Sequence, residues 1–224
     1  MATYGFPLAP QGLKPVVRQG SAQVSFSTQT AYINIATARS IGNNEVVQLG
    51  VENPGFINAP AATTVANPTA NQQLNSYGVL AGIRYKITQF PGEIRSLYWA
   101  SGTVIAPGTQ IVAQIIHDPS MEYEIQVNSV IGLQQTQVGS YCNIGNVNFI
   151  DGSVNGTGPA GISQGQSTAV LDLTTISATP IAGNGGLFDV EIVGLSQRPQ
   201  NFFGTVGVPQ PYNYAIVKFN SFRQ

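Results

Sequence analysis

Ile111-Val112-Ala113-Gln114-Ile115-Ile116, a break at His117-Asp118-Pro119, and then Glu122-Tyr123-Glu124-Ile125-Gln126-Val127 is the stretch that decides the fold. In the second run apolar Tyr123, Ile125 and Val127 alternate with polar Glu122, Glu124 and Gln126. That is a period of two, which puts the two sets on opposite faces of a strand with one wet side. Asp before Pro starts a turn, so the stretch reads strand, turn, strand. The same signature recurs at Ile33 and Ile35, Val46-Val47-Gln48-Leu49, Ile83 to Ile87, Ile94 to Trp99, Val170 to Leu173, Phe188 to Val193 and Tyr214 to Phe219. These runs are short, rich in β-branched and aromatic residues, and bounded by breakers such as Pro91-Gly92, Pro107-Gly108, Asp151-Gly152 and Asn184-Gly185-Gly186. No stretch carries a helical stripe with caps. One short helix is expected around Ala70 to Leu74, after Ala66-Asn67-Pro68. The expected fold is all-β, an antiparallel β-sandwich or barrel with long loops.

Working outward, residues 1–20 read as an extended N-terminal arm, because Gly5, Pro7, Pro10, Gly12 and Pro15 break any long strand or helix. Residues 21–224 then form a single β domain. Residues 53–78, rich in Ala, Asn, Thr and Pro, read as an inserted loop or arm, and the Gly- and Asn-dense residues 151–167 as an exposed loop.

Composition narrows the function. Only 8% of residues are charged, with Lys+Arg 9 against Asp+Glu 10 and a formal net charge of -1, where globular domains usually carry about a quarter. Hydrophobic content of 42% provides for a sizeable core. No basic run exists, so binding to nucleic acid through phosphates is not expected. The opening Met1-Ala2-Thr3-Tyr4-Gly5-Phe6-Pro7 has neither the basic nor the apolar region of a secretion signal, and no apolar run matches a membrane span. With one Cys and one His, no intrachain disulfide, no zinc site and no cofactor is expected. A nearly uncharged surface also implies adhesion that changes little with salt.

Few residues offer chemistry. Cys142 reads as an inert thiol, since a nucleophile needs a base and only His117 could serve. His117-Asp118-Pro119 reads as a strand end and turn rather than a ligand set. Glu122 and Glu124 share one strand face and could serve a glycosidic bond or a hard cation. Their plainer reading is a solvated face opposite Tyr123 and Ile125. Gly183-Asn184-Gly185-Gly186 lacks the Lys-Ser/Thr ending of a phosphate loop and reads as a hairpin turn. Tyr98 and Trp99 are the one Trp-containing pair, either core packing or anchors for a sugar or a protein surface.

In order along the chain come Gly12-Leu13-Lys14-Pro15-Val16, then Asp118-Pro119 before Tyr123-Glu124-Ile125-Gln126, then Ile192-Val193-Gly194-Leu195, Asn201 and Val217-Lys218-Phe219-Asn220. This ordered set resembles a family of tailed-bacteriophage virion proteins described as capsid decoration, or structural cement, proteins. The family pattern runs from Gly-Leu/Phe-Lys/Arg-Pro-Val through Asp-Pro and Phe/Tyr-Glu-Ile/Val-Gln to Leu-Gly-Leu and a last Val-Lys-Ile-Asn strand. Departures are His117 before the Asp-Pro, Tyr141-Cys142-Asn143-Ile144 in place of a small element, and a longer 53–78 segment.

The resemblance implies a structural virion protein, not an enzyme. It would be assembled in a host cytoplasm and placed on the capsid exterior, where it decorates and stabilises the shell by bridging major capsid subunits. Strand addition and an extended arm are the expected modes, multiplied over many copies. A homo-oligomer, dimer or trimer, is expected. The expected interface residues are Phe6, Leu8, Leu13 and Lys14 in the arm, with Tyr98 and Trp99. The alternatives are a tail, fibre or glycan-binding virion protein that uses exposed Tyr98 or Trp99, and a glycoside-processing enzyme that uses Glu122 and Glu124.

Overall fold

A computed structural model describes residues 12–16, 27–33, 41–49, 56–58, 76–100, 102–118, 120–146, 167, 169–181, 187–198, 201 and 211–220. Among these residues the strands are β1 (Lys14–Pro15), β2 (Thr28–Ile33), β3 (Val46–Leu49), β4 (Phe56–Asn58), β5 (Ser76–Ile87), β6 (Phe90–Ser96), β7 (Ile111–Ile116), β8 (Glu122–Gln126), β9 (Tyr141–Asn146), β10 (Ala169–Ser177), β11 (Val190–Leu195) and β12 (Tyr214–Phe219). The one named helical element is a 3-10 turn, Gln135–Gln137. The fold is all-β, as the period-two runs require.

Two six-stranded sheets result. The first has the order β1-β8-β12-β11-β9-β10 and the second β3-β4-β2-β7-β5-β6. In the second, β3 also pairs with β5, which closes five strands into a small barrel and leaves β6 outside it. The first sheet curls too: a parallel bridge joins Val127, just after β8, to Leu171 of β10. Ladders between the named strands are antiparallel except at β2–β4, which run parallel, so the second sheet is mixed. The decisive stretch falls on β7 and β8, one strand from each sheet.

The two sheets share a wall. One apolar cluster lies inside the barrel and contains Val47, Leu80, Ile115 and Trp99. The other lies against the first sheet and contains Val46, Val79 and Ile116 beside Tyr123, Ile125, Ile192 and Val217. The doublets Val46-Val47, Val79-Leu80 and Ile115-Ile116 therefore bury both faces of β3, β5 and β7, since neighbouring residues on a strand point opposite ways. Close packing of this wall needs Gly78, because a Cβ there would overlap the Ile116 carbonyl oxygen and the Ile115 side chain.

Three expectations are refined here. Of the arm expected at residues 1–20, to lie across its own domain or to reach a neighbour, residues 12–16 are described and lie on the chain's own sheet. β1 pairs with β8, Lys14 opposite Glu124, and Leu13 is fully buried in the first core. Gly12, at φ +71, fits where a Cβ would overlap Asn44 and Ser167, and the Leu13 N–H donates to the Asn44 carbonyl at 2.9 Å. This part of the arm covers its own sheet edge, which otherwise exposes unpaired backbone groups. The inserted segment 53–78 is not all loop, since it holds β4 and the start of β5. β9 is an added strand, missed because Asn143 and Gly145 interrupt its apolar pattern. The helix expected at 70–74, residues 1–11, and the loop expected at 151–167 save its last residue, buried Ser167, lie outside the described residues.

The seating of the arm leads to a stability test. Leu13→Ala should cost about 2–5 kcal/mol, the usual range for a buried Leu→Ala. Exposed Lys14→Ala should change stability by no more than about 0.5 kcal/mol. Urea denaturation reads both, and a wild-type midpoint for Leu13→Ala would refute the seating.

Candidate interaction surface

The expected interface residues separate into three groups. Leu13 and Trp99 are withdrawn as surface anchors, because each is at most 1% exposed. Trp99 sits in the barrel core with its ring edge-on to Tyr85 at 5.5 Å, and its backbone exchanges two hydrogen bonds with Ile41 at 2.9 Å. The strand expected through Trp99 ends at Ser96, whose hydroxyl accepts the Tyr98 N–H and donates to the Tyr98 carbonyl. Burial inside a closed barrel is a tertiary event that alternation along one strand does not reveal. Lys14 is exposed and Tyr98 half-buried. Phe6 and Leu8 lie outside the described residues.

The structure brings together what the sequence scattered. β1, β8, β12 and β11, the strands that hold most of the recurring motif residues, are four consecutive neighbours in the first sheet. On its outer face the register aligns Glu122, Lys218 and Glu191 across β8, β12 and β11, and Lys14 beside Glu124 across β1 and β8. Opposite charges facing each other across strands stabilise the pairing. Glu124 is fully engaged. One carboxylate oxygen accepts the Arg198 Nε–H at 2.8 Å and a second Arg198 N–H, and the other accepts the Ser196 hydroxyl. The Arg198 guanidinium also lies over the Tyr214 ring, 4.1 Å from its centroid. Its charged form is favoured first by the Glu124 hydrogen bond, against partial burial. With both oxygens of Glu124 committed, the Glu122–Glu124 pair reads as a structural charged face.

Side-chain amides close the ends of these strands. Asn201 donates to the Ser196 carbonyl at 2.9 Å and the Tyr214 carbonyl at 2.7 Å, and accepts the Tyr214 N–H at 3.0 Å. It acts as one extra rung between the end of β11 and the start of β12. Asn213, unsuspected from the sequence, does the same for the loop after β8. It accepts the Leu133 N–H at 2.8 Å and donates to the Leu133 carbonyl at 2.9 Å. An Asn two residues from a Pro reads as an ordinary turn residue, so no sequence signal marked it.

The remaining titratable candidates are structural. The Cys142 thiol is buried and donates to the Asp172 carbonyl at 3.5 Å, and burial pushes it up to about 12. Asp118 accepts both the N–H and the hydroxyl of Ser120, and these bonds hold it below the usual carboxylate range. With the Met121 N–H donating to the Asp118 carbonyl at 3.1 Å, a turn begins at Asp118 as expected, and Pro119 lies outside the described residues. Asp189 accepts the Ile144 N–H at 2.8 Å, and burial of its carboxyl pushes it up to about 7. Among the described residues no group of His, Cys, Asp and Glu gathers to hold a metal ion, and no helix is long and apolar enough to cross a membrane.

Two tests follow from this geometry. Asn201→Ala strips three backbone partners and should cost about 1–3 kcal/mol, read by urea denaturation. For Asp189, a raised folded pKa means that the neutral carboxyl's contribution is complete below the ordinary value of 3.8 and is lost as pH rises through about 7. Wild-type Tm should therefore fall between about pH 5 and about pH 8 more than that of Asp189→Asn, whose amide can still accept the Ile144 N–H. Equal slopes would refute the assignment. Comparison with protein-family models, with curated proteins and with solved structures finds no match.

Proposed function

We propose that this chain is a structural virion protein that decorates and stabilises a bacteriophage capsid by bridging major capsid subunits. The observation that carries this reading is the convergence of the resembling motifs. Elements separated by about two hundred residues of sequence meet in four neighbouring strands. Gly12-Leu13-Lys14-Pro15 is seated at the edge of that sheet, and Asn201 ties its far strands together. A pattern that specifies one sheet is a pattern of fold and surface, which suits a protein whose work is adhesion. Two further features support this. The reactive-looking side chains are spent on structure: Glu124 on Arg198, Asp118 on its own turn and Cys142 in the core. And β1 leaves Lys14 exposed at the sheet edge, a surface that a neighbouring subunit can contact, while residues 1–11 lie outside the described residues.

The glycan-binding alternative loses its best stacking platform with the burial of Trp99. On the decoration reading the protein is not an enzyme and acts as many copies on the capsid exterior, each contacting the major capsid protein.

Mass spectrometry of purified virions should find this chain in a fixed, near-stoichiometric ratio to the major capsid protein. A copy number fitting a tail or fibre, or selective binding on a glycan array, would overturn the reading. Deleting residues 2–11 should leave Tm unchanged, because Leu13 and β1 remain, and should abolish decoration of shells. Normal decoration by the deletion variant would refute the expected role of the arm.

A further inference from the structure

The β5–β6 hairpin borders an open cleft of about 330 Å³, lined by Gly82, Arg84, Arg95, Leu97 and Gln114 among others. Gly82 adds no side chain to this space. A Cβ there would meet nothing nearer than the Ser96 carbonyl oxygen, at 3.6 Å. The register sets Arg84 opposite Arg95 and Gly82 opposite Gln114, and directly opposed residues share a face of the sheet. Two arginines therefore share one face of the hairpin at the cleft, an arrangement that like-charge repulsion disfavours.

Internal compensation is partial. A single Glu93 oxygen serves both arginines, 3.9 Å from Arg84 Nη1 and 3.7 Å from Arg95 Nε, both longer than a charge-assisted hydrogen bond. Arg84 Nε is buried with no hydrogen-bond partner among the described residues. Arg84, Lys86 and Arg95 place three of the chain's nine Lys and Arg on one hairpin, where Glu93 is the one acidic residue. A chain with a net charge of -1 thus carries a concentrated positive patch.

We propose that this cleft receives a carboxylate side chain from an acidic segment of a partner protein. A guanidinium presents its N–H donors as a fork that matches a carboxylate, and an incoming anion between Arg84 and Arg95 relieves their repulsion. Gln114 adds a neutral donor, and Leu97, 59% exposed, offers apolar contact at the rim. That the partner is a capsid subunit rests on the decoration reading; the chemistry of the cleft does not. Adhesion at this cleft depends on salt, a local exception to the expectation drawn from overall composition.

The test uses the full chain, labelled with ¹⁵N, and an acetylated, amidated Asp/Glu-rich hexapeptide, with the Asn/Gln counterpart as control. The acidic peptide should shift the amide signals of Gly82, Arg84, Leu97 and Gln114. It should bind at least about tenfold more tightly than the neutral peptide and weaken between about 50 mM and about 500 mM salt. Arg95→Gln, at an 82% exposed side chain, should weaken binding without changing Tm. Gly82→Leu should block the cleft with every charge retained. Equal binding of the neutral peptide, undiminished binding by both variants, or preference for a sulfated oligosaccharide over the acidic peptide would overturn the proposal. Because the probe is a free peptide, absence of the chain from capsids would refute the decoration reading and leave this result standing.

Discussion

The structure depends on one shared apolar wall. β3, β5 and β7 each present a large aliphatic residue to both sides, through Val46-Val47, Val79-Leu80 and Ile115-Ile116. Each fully buried side chain of this kind contributes on the order of 1.5–3 kcal/mol, so the wall joins the barrel and the first sheet into one packed unit. The Asn44 turn reinforces the junction. Its carbonyl accepts the Leu13 N–H, its own N–H donates to the Leu80 carbonyl, and the Asn43 carbonyl next to it accepts the Ser167 N–H. Asn44 adopts φ 60 to do so, a region that Asn tolerates better than most residues. Segments from the arm, from the barrel and from just before β10 are thereby held at one point.

The amide-rich, charge-poor composition has a structural cause in several places. Curled sheets with bulges and short strands leave backbone groups without ladder partners, and buried backbone groups need partners. Asn201 and Asn213 supply them at strand ends, Asn220 donates to the Phe188 carbonyl, and Gln126 donates to the Tyr212 carbonyl. Where the β9–β10 register shifts after Asp172, the Thr175 hydroxyl accepts the Asn143 N–H and donates to the Asp172 carbonyl. Neutral side chains do this at lower desolvation cost than charged ones.

The charges that remain are placed unevenly. On the first sheet opposite charges face one another in register across strands, and Glu124 is held by Arg198. On the β5–β6 hairpin basic groups exceed acidic ones and border an open cleft. A surface of the first kind fixes strand register, and one of the second kind is available to a partner. Average charge therefore describes neither face of this protein.

How much was legible in the sequence follows from the range of each interaction. Period-two alternation is local, so the all-β character and most of the strands could be read along the chain, as could the turn at Asp118 and the burial of Cys142. The sequence by itself also held the ordered motifs behind the decoration reading. The tertiary structure alone decided which strands are neighbours, because pairing partners such as Lys14 and Glu124 lie far apart along the chain. It decided that the doublets are two-sided, that Trp99 is enclosed by barrel closure, that Leu13 belongs to the core, and that Asn213 clamps Leu133. It also set Arg84 opposite Arg95, which depends on a hairpin register that the bulge after Tyr85 shifts. Alternation tells which residues share a face, but only the packed chain tells what that face meets.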